Sequence, residues 1–183
     1  MTLHEQILQN ATEQFAEHVI TEHLRAGVFR HWSCGRPGSN VYRFNITTIP
    51  GRLIVTGDVG ELIVERVYDM LPWCREAINS LKYFASKVPS SIKTREFSQD
   101  AVKRWANELL ESGEAPAKFV GNLKDAVEYS DDWSESDAYN ETAVLWGGCD
   151  PPDFNDWTPN FLWCVEAIRW FLGHHEESAI TPR

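Results

Sequence analysis

The sequence predicts an α+β fold: a four-stranded antiparallel β-meander packed against several α-helices. Two observations carry the prediction. Residues 28–67 break into short runs of alternating apolar and polar side chains, separated by Pro-Gly and Gly-Asp turn chemistry. The residues before and after carry apolar side chains at the three- and four-residue spacing of helices. The chain has 183 residues, 43% of them apolar and 24% charged, with 8 Trp, 5 Tyr and 9 Phe. That composition belongs to a folded globule, because the aromatic residues supply ample surface to bury. The length suits one domain, so the chain is read undivided over 1–183.

The first element is a helix over 2–26. Thr2 and Glu5 form a capping box, Leu8, Ala11, Phe15 and Val19 make its stripe, and Gly27 ends it. The meander follows over 28–67. Its first strand is 28–34, and Arg36-Pro37-Gly38-Ser39 makes the turn after it. In the second strand, 41–48, Tyr42, Phe44 and Ile46 share the buried face. Ile49-Pro50-Gly51-Arg52 turns into a third strand, 53–56. Gly57-Asp58-Val59-Gly60 turns into a fourth, 62–67.

Residues 68–173 read as helical. A stripe of Leu71, Cys74, Ile78, Leu81 and Ala85 ends before Pro89. Ser98 caps a helix that stops at Gly113. Pro116 opens another, reaching about residue 128. Residues 130–141 form a polar, acidic connection, and the Gly147-Gly148 to Pro151-Pro152 stretch breaks regular structure. Thr158-Pro159 opens a last helix, apolar on nearly all sides and therefore central, which Gly173 ends. Residues 174–183 are a polar tail.

Charge is the most informative feature. The net charge is −10, and residues 111–156 hold 12 acidic against two basic residues, so the rest of the chain is neutral. Such a field repels nucleic-acid backbones and attracts basic surfaces. Its plain use is solubility; its specific use is docking. For docking, the stretch Asp131-Asp132-Trp133-Ser134-Glu135-Ser136-Asp137 stands out, extended by Glu141, Asp150, Asp153 and Asp156. Carboxylates spaced around an aromatic anchor imitate a phosphate track for a basic groove, and the alternative is a solvated loop with Trp133 in the core.

A second candidate is the Gly57-Asp58-Val59-Gly60-Glu61 turn. Asp58 and Glu61, with Arg43 or Arg66, have the residue types for acid–base work or a divalent cation. The Lys expected two residues past the second acid of a nuclease is missing, and Gly-Asp-x-Gly is in any case a good hairpin turn. Arg25, Arg30, Arg36, Arg43 and Arg52, with Trp32, Tyr42 and Phe44, offer a nucleic-acid stacking platform, against which stands a core role for the aromatics. The arginines have an alternative too, pairing with the acidic segment. His31 and Cys34, and His174-His175-Glu176-Glu177, lack partners to complete a metal site, and Cys34, Cys74, Cys149 and Cys164 form no C-x-x-C pair. No nucleotide-binding, hydrolase or zinc-protease motif occurs, so no cofactor or metal is implied. No membrane span and no signal peptide are expected, which points to the cytoplasm.

Residues 28–75 resemble a family of uncharacterised proteins of bacteriophages and prophages. The shared run is Arg36-Pro37-Gly38-Ser39, Val41-Tyr42-Arg43-Phe44, Thr47-Thr48-Ile49-Pro50-Gly51, Gly57-Asp58-Val59-Gly60 and Arg66-Val67-Tyr68-Asp69-Met70. The stretch Phe161-Leu162-Trp163-Cys164-Val165-Glu166-Ala167-Ile168 is similar to that family's last helix. Ile49 stands where the family tends to have Trp, and Val59 where it tends to have Met. The resemblance implies a phage origin and action in the cytoplasm of an infected bacterium, with no catalytic role to carry over. Together with the acidity it leads to an expected function: a non-enzymatic inhibitor of a host defence system, anti-CRISPR-like or anti-restriction-like. Its partner would be a host protein with a basic nucleic-acid-binding surface, with no direct nucleic-acid contact and with the oligomeric state open. The alternatives are a small enzyme or ligand binder on the Asp58/Glu61 turn, and a nucleic-acid-binding accessory protein.

Overall fold

The computed structural model describes residues 2–129, 134–146 and 152–175. The chain is α+β, and it divides into two compact units where the sequence reading leaves it whole. Unit 1 is Met1–Thr94 with Trp157–Arg183; unit 2 is Arg95–Asp156.

Unit 1 holds a five-stranded antiparallel sheet in sequential order, β1 (Val19–Ala26), β2 (Phe29–Gly35), β3 (Phe44–Ile49), β4 (Arg52–Gly57) and β5 (Leu62–Glu65). Trp32, Cys34, Phe44, Ile46, Leu53, Val55, Leu62 and Val64 alternate onto one face and are fully buried. Four helices belong to this unit: α1 (Leu3–Phe15), α2 (Met70–Ala77), α3 (Leu81–Ala85) and α7 (Pro159–His174). Helix α7 is central, as its composition predicts: Phe161, Leu162, Cys164, Val165, Ile168 and Phe171 are all buried, and α1 packs against it. Thr158 caps α7 by accepting from the Phe161 amide at 3.2 Å, with Pro159 in the first turn.

The meander has five strands rather than four, because the expected helix over 2–26 ends at Phe15. The Thr2–Glu5 capping box is present, but Val19, Ile20 and Thr21 are β-branched and pair across β2 instead. Gly27, expected as a helix stop, turns the β1–β2 hairpin with a φ of +63°. The expected helix over 71–85 is two, α2 and α3, and α7 runs through Gly173 to His174. The three described cysteines, Cys34, Cys74 and Cys164, are buried thiols, each pushed up to about 12 by burial, while Cys149 lies outside the described residues.

Unit 2 contains α4 (Gln99–Ser112), α5 (Ala117–Tyr129) and α6 (Glu135–Trp146), around a small core of Val102, Ala106, Val120, Leu123, Ala138 and Phe154. Ser98 caps α4 and left-handed Gly113 ends it, as the sequence predicts. Helix α6 replaces part of the expected acidic connection. Its start is a capping box: Asp137 accepts from the Ser134 amide at 2.9 Å, and Ser134 Oγ accepts from the Asp137 amide at 3.3 Å. A short two-stranded ribbon, β6 (Arg95–Phe97) with β7 (Asn155–Trp157), joins segments nearly sixty residues apart.

Candidate functional site

The Gly57–Gly60 turn is held in place by the fold around it. Asp58 Oδ2 accepts from the Tyr42 amide at 2.7 Å, and the Asp58 amide donates to the Arg43 carbonyl at 2.8 Å. Tyr42 sits at φ +55°, an uncommon conformation for a bulky residue, and its ring stacks 4.9 Å from Trp163. On the other side, the Glu61 amide donates to Asn160 Oδ1 at 3.1 Å, and Asn160 Nδ2 donates to the Glu61 carbonyl at 3.0 Å. Arg66 lies at the opposite end of β4, its amide on the Gly51 carbonyl, so the four residues Asp58, Glu61, Arg43 and Arg66 do not converge. Among the described residues, no group of three His, Cys, Asp or Glu side chains is placed to hold a metal ion. Asp58 therefore acts as a strut. Asp58→Ala is expected to cost about 1 kcal/mol through the unpaired Tyr42 amide. Melting curves should be the same with and without magnesium, manganese or calcium in both proteins; a metal-dependent rise confined to the parent chain would restore the cation reading.

Four of the five arginines of the platform are paired with carboxylates, exposed Arg43 being the exception among the described residues. Arg25 pairs with Glu22, Arg30 with Asp69, Arg36 with Glu17 and Arg52 with Glu65. All these carboxylates lie in unit 1, so the partners are not the acidic segment. Trp32 and Phe44 are fully buried and Tyr42 is half-buried. His31 and Cys34 project from opposite faces of β2, since they are an odd three positions apart on the strand. His174 Nδ1 bonds the Trp170 carbonyl, while His175 stacks on Phe171 and burial holds its basicity below the usual histidine value. Glu176 and Glu177 lie outside the described residues.

In the acidic segment, Asp131, Asp132, Trp133 and Asp150 lie outside the described residues. Glu135, Asp137 and Glu141 are exposed on α6. The Ser134 hydroxyl and amide that cap Asp137 hold its carboxyl below the ordinary range. Asp153 and Asp156 are occupied within the unit. Asp153 pairs with Arg95 and accepts from the Asn155 amide at 3.0 Å. Asp156 takes Arg104 Nη2 on both oxygens, at 2.6 and 2.8 Å. Burial is the largest single influence and raises both carboxyls, but Arg95 with Asn155 at Asp153, and Arg104 with Ser98 and Arg95 at Asp156, together outweigh it and leave both lowered. The field that remains is wider than the chosen stretch. Glu108, Glu111 and Glu114, at the end of α4 and just beyond it, and Asp125 and Glu128 on α5 are also exposed.

The sequence brings out His31 only with Cys34, whereas the structure places it beside His23. On the outer face of the sheet, His23 Nε2 lies 2.8 Å from Ser33 Oγ, and His31 Nδ1 lies 2.8 Å from Thr47 Oγ1. The two imidazole rings are 5.3 Å apart. Reading 19–26 as helix hid this pairing; the β-branched run Val19-Ile20-Thr21 was the signal available for it. Compared with protein-family models, curated proteins and solved structures, the chain has no match. Among the described residues no helix is long and apolar enough to cross a membrane.

Proposed function

We propose that unit 2 is a docking surface for a basic, nucleic-acid-binding groove of a host protein, and that the chain is a non-enzymatic, phage-encoded inhibitor of a defence system, of the anti-CRISPR or anti-restriction kind. The observation that carries the reading is where the charge lies. Unit 2 has 15 acidic and five basic residues, a net −10, while unit 1 has 12 of each and is neutral. A compact unit thus bears the whole net charge of the chain. Two of its five basic residues, Arg95 and Arg104, are spent on Asp153 and Asp156. A field of that strength steers association with a basic surface and resists nucleic acid itself. Occlusion requires only spaced carboxylates, which suits a chain without a catalytic motif. The phage and defence elements of the reading rest on the resemblance of residues 28–75.

The test replaces Asp131, Asp132, Glu135 and Glu141 by Asn or Gln and captures partners from host lysate at low and moderate salt. The expected partner is a basic nucleic-acid-binding protein, displaced by DNA or RNA, salt-sensitive, and at least about tenfold weaker with the neutralised chain. A partner held equally well by the neutralised chain, or no partner at either salt, would overturn the reading.

A further inference from the structure

Neutral unit 1 has a small cationic pocket of its own on the outer face of the sheet. It encloses about 300 Å³ and is walled by Val19, Thr21, Ser33, Arg36, Pro37 and Arg43, with Gly35 and Gly38 completing it. None of these residues is acidic. Arg36 is paired with exposed Glu17 at 3.0 Å. The Arg43 guanidinium has no carboxylate or other side-chain partner among the described residues. Its stem lies over Gly35, where a Cβ would come within 3.0 Å of Arg43 Cγ, so the glycine at 35 makes room for it.

The hydroxyls of the pocket are placed by strand register. Thr21 and Ser33 are direct partners across β1 and β2. One step along, the register slips between Glu22 and Leu24, and the extra residue is His23. A bulge of this kind re-aims a side chain. Here it brings His23 Nε2 to 2.8 Å from Ser33 Oγ, although Ser33 is only 6% exposed. With the hydrogen on Nε2, His23 donates to Ser33 Oγ and leaves the serine hydrogen to donate into the pocket. A charged, unpaired fork beside two hydroxyls is a donor set for an anion. The set exceeds the two oxygens of a carboxylate and suits the three terminal oxygens of a phosphate. The volume exceeds a bare phosphate, and Val19 and Pro37 give an apolar wall for an organic group.

We propose that this pocket binds a small phosphomonoester, with Arg43 on the phosphate, Ser33 and Thr21 donating to its oxygens, and Val19 and Pro37 against its organic part. The site is independent of the acidic unit and stands or falls apart from it.

The experiment is an amide NMR titration of the full chain with inorganic phosphate and with phenyl phosphate. Saturable shifts are expected at Thr21, Ser33, Gly35 and Arg36, with tighter binding of phenyl phosphate. Arg43→Gln should weaken both ligands about tenfold or more at unchanged melting temperature, because the exposed guanidinium holds nothing else. Arg66→Gln is the control, since Arg66 lines a separate hollow with Arg52 and Lys87; it should change nothing. No saturable shift in the parent chain, equal binding by Arg43→Gln, or shifts centred on Arg66 and Lys87 would each overturn the proposal.

Discussion

Asp69→Ala is expected to destabilise unit 1 by about 2–3 kcal/mol, because it strips the counter-charge from the buried Arg30 guanidinium, although Asp69 itself is one-third exposed. Arg30 sits on β2 at 9% exposure, and its two terminal nitrogens donate to the two oxygens of Asp69 at 2.9 and 2.8 Å. Asp69 also caps α2, accepting from the Leu71 amide at 3.3 Å. Alanine leaves the guanidinium buried without a counter-charge and removes the cap. Asp69→Asn keeps the cap, so it should be milder by about 1 kcal/mol. The pH dependence follows from the same contact. Hydrogen bonds from Arg30 hold the Asp69 carboxyl below its ordinary range. A depressed folded value means that its contribution is complete above the unfolded value of about 3.9 and is lost as pH falls through the lower folded one. Urea unfolding from neutral pH downward should show an acid limb that is diminished in Asp69→Ala. A loss below about 1 kcal/mol at neutral pH would mean that the pair does not hold β2 to α2.

Gly60→Ala should cost about 3 kcal/mol or more, from backbone strain together with the loss of two hydrogen bonds. Gly60 has a φ of +113°, which side chains rarely adopt, and a Cβ there would fall 1.8 Å from Asn160 Oδ1. The amide of Asn160 must then leave the Glu61 backbone, which unties the β4–β5 turn from the start of α7. Asn160→Ala isolates the two causes. In that background Gly60→Ala should retain only the strain, about 1–3 kcal/mol. An equal penalty with and without Asn160 would remove the clash as a source.

These two sites differ in how much of them a reader of the sequence can see. Gly57-Asp58-Val59-Gly60 announces a turn, and it is one. That Gly60 is crowded by Asn160 depends on a residue a hundred positions later. Asp69 stands before an apolar stripe as a helix cap should, but its larger role comes from Arg30, thirty-nine positions earlier. The acidic stretch is similar: its sign and density are plain in the sequence, while the neutralisation of Asp153 and Asp156 comes from Arg95 and Arg104 across the unit.

Local chemistry by itself determined the turns at Pro37-Gly38 and Pro50-Gly51, the caps at Thr2, Ser98 and Thr158, the inward face of Phe44 and Ile46, and the central place of α7. Each depends on a few adjacent residues, whose conformational preferences act before any partner arrives. The tertiary structure decided that 19–26 is a strand, which the β-branched run at 19–21 favours without fixing, that β6 meets β7, and that the net charge collects in one compact unit. The stripe Leu8, Ala11, Phe15 and Val19 keeps helical spacing past the true end of α1, and only pairing with β2 overrules it. A strand draws its hydrogen bonds from another segment, so its existence is settled where that segment lies.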